Sequence, residues 1–158
     1  MKTKKCQKKS PQEKFNLQER KEIAHADCMI LWNKMAETGC TSKTVIIKTL
    51  KKAGKLVGGY GGSCPFCFYL RRSFEEPDES FESCRDCLWG APERKSVDWD
   101  FSSPCMLPES PFTEWMDQVE RVRDAFFEEM GYYPETLFTK ELIPYARKVF
   151  EYIEVLEH

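Results

Sequence analysis

Four cysteines carry the chemistry legible in this chain. Cys64-Pro65-Phe66-Cys67 is followed, sixteen residues later, by Cys84-Arg85-Asp86-Cys87. A CxxC turn brings two sulfurs to one side of a tight backbone loop. Two such turns facing each other supply the tetrahedral sulfur cage that zinc accepts. The spacing predicts a metal site built from Cys64, Cys67, Cys84 and Cys87, with zinc as the expected ion. Four thiolates also suit an iron–sulfur cluster, which is the less favoured occupant. Four thiolates close the coordination sphere and leave no position for water or substrate, so a structural role is expected. A metal of this kind supplies roughly 10–16 kcal/mol of apparent binding free energy, enough to order a segment with little core of its own. Cys105 stands 18 positions after Cys87 and is an alternative ligand. Phe68 and Leu88 follow the two CxxC turns where a typical zinc ribbon has glycine, so an ordinary ribbon is not expected. Cys28 and Cys40 read as core or surface thiols, and Cys6 falls in the basic N-terminus.

Other chemistry-bearing residues are sparser. His25 lies inside a helical pattern and reads as a helix-surface or hydrogen-bonded core histidine; no role is assigned to His158. Asp98 and Asp100 place two carboxylates on one side of an extended segment, as a magnesium-dependent nuclease would need, but a third acidic ligand is missing. Gly58-Gly59-Tyr60-Gly61-Gly62 lacks the strand, Lys and Ser/Thr context of a phosphate loop. No complete catalytic constellation emerges, so the chain is not expected to be an enzyme.

The charge is divided. Residues 1–62 carry 14 Lys/Arg against 5 Asp/Glu, and residues 63–158 carry 10 against 21, leaving a net charge of −2 over the 158 residues. Lys43, Lys48, Lys51, Lys52 and Lys55 are candidate phosphate contacts for salt-sensitive, nonspecific nucleic-acid binding. A solvated helix face explains the same lysines equally well. The basic start lacks an apolar stretch, so no signal peptide is expected, and no run approaches the roughly 20 apolar residues of a membrane span. A reducing, cytoplasmic setting is expected, where CxxC pairs favour metal over disulfides.

The elements that must position these residues read as mainly α. A basic, disordered arm is expected over 1–14, then a single helical domain over 15–158. The first helix starts near Asn16, with Glu19 as its capping-box partner and Phe15 as its staple, and ends at Gly39. Its apolar stripe reads as Ile23, Ala26, Ile30 and Leu31, widened by Trp32 and Met35. Residues 41–57 carry the β-branched run Thr44-Val45-Ile46-Ile47, yet Ile46, Leu50 and Ala53 before Gly54 favour a short helix. A loop-rich, metal-stapled module spans about 63–105, with one or two helical turns over 68–74. A helix over 111–130 begins at Ser110-Pro111 and ends at Gly131, its stripe running Phe112, Trp115, Met116, Val119, Val122, Phe126 and Met130. A last helix covers roughly 139–156, with Leu142, Ala146, Val149, Ile153 and Leu156 on one face and Pro144 marking a kink or a later start. The fold class expected is a small helical bundle holding a zinc-stapled insertion.

Trp32 in its helix, Cys64-Pro65-Phe66-Cys67, Cys84-Arg85-Asp86-Cys87, Cys105 and Ser110-Pro111-Phe112-Thr113-Glu114-Trp115 together resemble a group of small bacteriophage proteins. The resemblance covers about residues 20–130, with Leu88 where that pattern often has proline. It implies a phage-derived, metal-stapled protein with no known catalysis, and it assigns no functional residue beyond the cysteines. The expected function is therefore a non-catalytic, zinc-stabilised binding protein that modulates or inhibits a host macromolecule or defence system. A nucleic-acid-binding zinc protein is the alternative, and a metal-dependent nuclease the second. A host protein is the expected partner, nucleic acid a possible one, and no membrane is expected.

Overall fold

The computed structural model describes residues 11–58, 64–70, 87–89 and 104–156. Its elements are α1 (Pro11–Lys14), α2 (Leu17–Thr38), α3 (Lys43–Lys52), α4 (Pro65–Leu70), α5 (Pro111–Met130) and α6 (Ile143–Glu154), with 3-10 turns at Pro104–Met106 and Lys140–Leu142. The protein is mainly α, as expected. Among the described residues the only β pairing is an isolated bridge between Cys40 and Phe138. The arm expected over 1–14 needs shortening, because Pro11–Lys14 already forms a helical turn; residues 1–10 lie outside the described residues.

Helix α2 organises the rest. The Asn16 side chain accepts the Glu19 amide at 2.9 Å, and the Glu19 carboxylate accepts the Asn16 amide at 2.8 Å. This reciprocal capping box satisfies two amide donors that have no partner inside the helix. Gly39 closes the other end at φ 62, its N–H donating to Met35 O. The buried face differs from the expected stripe. Ala24, Asp27, Cys28, Leu31, Trp32, Met35 and Ala36 point inward, while Ala26 and Ile30 are exposed. Counting only hydrophobic residues set the phase wrongly, because two inward positions are an acid and a thiol whose partners lie far along the chain.

Around α2 pack α6, α4 and α3, and α5 lies against α6. Helix α6 buries Ala146, Val149 and Ile153, with Leu142 just before it. Pro144 falls in its first turn, where its missing N–H costs nothing, so the proline marks a later start rather than a kink. Residues 43–52 are helical, with Ser42 as the cap and Ile46, Ile47 and Leu50 buried. Here packing of one helical face outweighs the β preference of Val45, Ile46 and Ile47.

Helix α5 begins and ends as the sequence indicates, with Ser110 capping, Pro111 in the first turn and Gly131 at φ 79. Its long apolar stripe is not a core stripe, however. Trp115 is buried and Phe112 and Val119 pack partly against the core, whereas Met116, Phe127 and Met130 are exposed. At 1.5 Å per residue, α5 is about 30 Å long against about 18 Å for α6, so its second half outruns that helix. No helix among the described residues is long and apolar enough to cross a membrane.

Candidate metal centre

The first knuckle sits at a junction of three helices. Cys64 precedes α4, and its carbonyl accepts the Phe68 amide at 3.0 Å. The turn projects Phe66, Tyr69 and Leu70 into the core. Arg20 of α2 donates to the carbonyl of Tyr69 at 3.0 Å, satisfying an acceptor at the C-terminal end of α4. Phe66 meets Trp89 edge to face at 6.5 Å between ring centroids.

The chain leading into this knuckle is tied to α2 by a buried acid. Asp27 is 1% exposed. Its two carboxylate oxygens accept the Val57 amide at 3.2 and 3.1 Å, and one accepts the Gly58 amide at 3.2 Å. A carboxylate is retained in a protein interior when hydrogen bonds replace its water, and these amides supply them.

One residue further along α2, Cys28 is fully buried, with its sulfur 4.0 Å from that of Cys64. Cys67 also hydrogen-bonds to Cys64. The Phe66 backbone N–H is directed at the sulfurs of both Cys28 and Cys64. Cys87 lies within electrostatic reach of Cys28 and Cys67, and Cys105 within reach of Cys67. The sulfurs therefore share charge unequally. S–H donation from Cys28, then from Cys67, holds the Cys64 thiol well below its usual range despite burial, and the Lys43 charge and the Phe66 amide act in the same direction. Burial, reinforced by Cys64, pushes the Cys28 thiol up; Cys64, then burial, pushes up Cys67.

The second knuckle is represented by Cys87, and Cys84 lies outside the described residues. After Cys87, Leu88 and Trp89 are buried. The Trp89 carbonyl accepts the Tyr152 hydroxyl at 3.2 Å, and the two rings lie 4.9 Å apart. Cys105 sits in the 3-10 turn, where its carbonyl accepts the Thr113 hydroxyl of α5 at 3.3 Å. Three segments distant in sequence thus bring thiols toward Cys64 and Cys67. Among the described residues, no group of three or more His, Cys, Asp or Glu side chains is arranged to hold a metal ion. The donor set nonetheless fits a thiophilic ion: soft sulfurs, an amide aimed at two of them, and a separation suited to neighbouring ligands.

Other sequence candidates are dispersed. His25 Nε2 is 2.7 Å from the Ile153 carbonyl and ties α2 to α6, a structural use. Cys40 is buried apart from the cluster, against Ser42. Lys48, Lys51, Lys52 and Lys55 are exposed. Lys43 departs from that row, for its ammonium stands 4.4 Å from the Phe112 ring centroid and its charge acts on Cys64. Asp98 and Asp100 lie outside the described residues.

Cys28 and Asp27 are the residues that sequence reasoning undervalued. A signal existed: they fall on one face with Leu31, Trp32 and Met35, at helical spacing, so a thiol and an acid were bound to point inward. No protein-family model, curated protein or solved structure matches the chain.

Proposed function

We propose that this protein is a non-catalytic, zinc-stabilised binding module. Cys64, Cys67, Cys84 and Cys87 are the residues that would hold the metal, with Cys105 as an alternative, and the metal would brace the cysteine-bearing segment against α2. The observation that carries a binding role is an exposed apolar surface. Met116 (38% exposed), Phe127 (41%), Met130 (53%), Tyr132 (55%), Tyr133 (54%) and Phe138 (60%) lie on α5 and the chain that follows it. Exposed apolar groups gathered in this way mark interaction sites more often than they occur on inert surfaces. A groove of about 650 Å³ opens beside them, lined in part by Ser42, Lys43, Phe112, Met116, Asp124 and Tyr133. The resemblance to bacteriophage proteins directs this reading to a host macromolecule, with modulation or inhibition as the role.

The test is a pull-down from host lysate with the wild type and with Phe127→Asp/Met130→Asp, which alters exposed positions only. A stoichiometric protein held by the wild type and lost by the variant is expected. Equal recovery by both, or no stoichiometric partner, counts against the reading.

A second reading has one observation in its favour. Lys48, Lys51 and Lys52 are exposed at a spacing of three and four residues, hence along one edge of α3, and exposed Lys55 follows just past its C-terminal end. Such a row suits nonspecific phosphate contact, and Lys51 and Lys52 also complement the negative end of the helix dipole. Gel shifts at low and high salt decide it: absence of binding at low salt removes the nucleic-acid reading.

A further inference from the structure

We infer that Cys28 ligates the same metal ion as Cys64, so that the ion fastens helix α2 directly to the Cys-Pro-Phe-Cys knuckle. The inference rests on the metal-site reading above and changes its ligand set. The two CxxC pairs alone would bind a metal within the stretch from Cys64 to Cys87. With Cys28 in place of one of those four cysteines, the site keeps four sulfur donors and one of them comes from the longest helix of the bundle.

The separation of the sulfurs is the first argument. Zinc–sulfur bonds of about 2.3 Å in a tetrahedron set neighbouring sulfurs about 3.8 Å apart. Cys28 and Cys64 stand at 4.0 Å. A disulfide requires about 2.05 Å, so the pair is not in bonding contact. The second argument is the Phe66 amide, which is directed at both sulfurs. One backbone donor shared by two sulfurs holds them side by side, as neighbouring ligands must be. The third is position within the cluster. Cys28 contacts Cys64, which contacts Cys67, and Cys87 lies within electrostatic reach of Cys28 as well as Cys67. Cys28 and Cys67 thus both approach Cys64, the sulfur that links them.

The surroundings fit a ligand held in advance. Cys28 is in the middle of a 22-residue helix, and the neighbouring Asp27 fixes Val57 and Gly58, close before Cys64 in the chain. A donor on a rigid element loses little freedom when it binds. On binding, each thiol passes its proton to solvent and each sulfur gives an electron pair to the ion, with no change of oxidation state.

The decisive experiment uses the full wild-type chain loaded with an NMR-active cadmium isotope. Scalar coupling from cadmium to the β protons of both Cys28 and Cys64 is expected. Coupling to Cys64 without Cys28 overturns the inference and leaves the paired-CxxC site standing. Failure of the chain to take up cadmium removes both. Cobalt titration of variants gives a second readout. Cys28→Ser should lower the thiolate-to-cobalt charge-transfer band by about a quarter, one of four sulfur donors being lost. It should also weaken metal in chelator competition by more than the roughly 10–100-fold typical of an outer partner. Cys28→His should keep one equivalent of cobalt and move its ligand-field bands to shorter wavelength. Cys40→Ser, beyond the C-terminal end of α2 and buried apart from the cluster, should change neither. Cobalt spectra of Cys28→Ser and Cys28→His identical to wild type overturn the inference.

Discussion

Cys28 and Cys64 lie 36 residues apart in the chain and bring their sulfurs to 4.0 Å. The contact joins the middle of the longest helix to the turn that opens α4. It converts a local motif into a tertiary link, because what Cys64 binds is then felt by α2 and by everything packed on it. Trp32 lies one turn further along α2 and meets Trp115 and Phe112 of α5. Thiol cluster and aromatic core are thus neighbouring parts of one interior.

Metal removal should therefore loosen more than the cysteine-bearing loops. Purified protein is expected to contain about one equivalent of zinc, since a thiolate site of this affinity survives purification. Stripping it with a strong chelator should lower the melting temperature of the whole helical signal, and zinc should restore it. Acid should act in the same direction: the bound form needs deprotonated thiols, so metal-linked stability is present at neutral pH and lost as pH falls. A metal content below about half an equivalent, or identical melting with and without chelator, contradicts the site.

Asp27 supports the same junction from the other side of the helix turn. Asp27→Ala leaves the Val57 and Gly58 amides without their acceptor. Loss of a charged, buried acceptor costs about 1.5–3 kcal/mol in urea unfolding. Asp27→Asn keeps one acceptor oxygen and should cost less. Metal affinity should fall in the same order, since the tether that sets the approach to Cys64 is slackened. Equal stability of both variants with wild type would show that these hydrogen bonds contribute nothing.

Gly39 and Gly131 both end helices with positive φ, 62 and 79, but they should not respond alike to alanine. At Gly131 nothing surrounds an added Cβ, so only the left-handed conformation resists it, at about 1–2 kcal/mol. At Gly39 the Cβ would run into the backbone carbonyl of Thr139. That carbonyl belongs to the segment that pairs with the chain after α2: Thr139 donates its amide to Gly39 O at 2.9 Å, and Thr41 donates its amide to Leu137 O at 2.9 Å. Backbone held on both sides cannot yield cheaply, so Gly39→Ala should add an overpacking cost of about 1–3 kcal/mol to the conformational one. Equal losses in the two variants would refute the close approach.

Local signals in the sequence were read well and long-range ones poorly. The caps at Asn16, Ser110, Gly39 and Gly131 are short-range hydrogen-bond patterns, and each is where its residues indicate. The inward face of α6 was also legible, because all of its buried positions are apolar. The phase of α2 was not, since Asp27 and Cys28 turn inward toward Val57, Gly58 and Cys64, partners that no local pattern announces. The α5 stripe misled for the opposite reason. Val122, Phe126 and Met130 repeat at core spacing, but Val122 and Phe126 are only half-buried and Met130 is exposed, where α5 outruns the shorter α6. For the thiols, spacing singled out Cys64, Cys67, Cys84 and Cys87, while Cys28 belonged to no spacing motif and its place on the inward face gave no sign of Cys64.

Trp32, Phe112 and Trp115 form one aromatic cluster although Trp32 lies far from the other two in the chain. Trp32 meets Trp115 edge to face at 5.2 Å and Phe112 at 5.9 Å, while Phe112 and Trp115 stack at 5.9 Å. Each tryptophan removes a large apolar surface from water, so Trp32→Ala or Trp115→Ala should cost about 3–5 kcal/mol. Their edge-to-face contact adds a pairwise contribution of about 0.5–1.5 kcal/mol, which each single variant already loses. The double variant should therefore be less destabilised than the sum of the singles by that amount, read by urea unfolding with far-ultraviolet circular dichroism. Additivity within about 0.3 kcal/mol would mean that α2 and α5 do not meet through these rings. Zinc content should be reduced less by Trp115→Ala than by Cys64→Ser, because the tryptophan supports the bundle while the cysteine is one of the residues that would hold the ion.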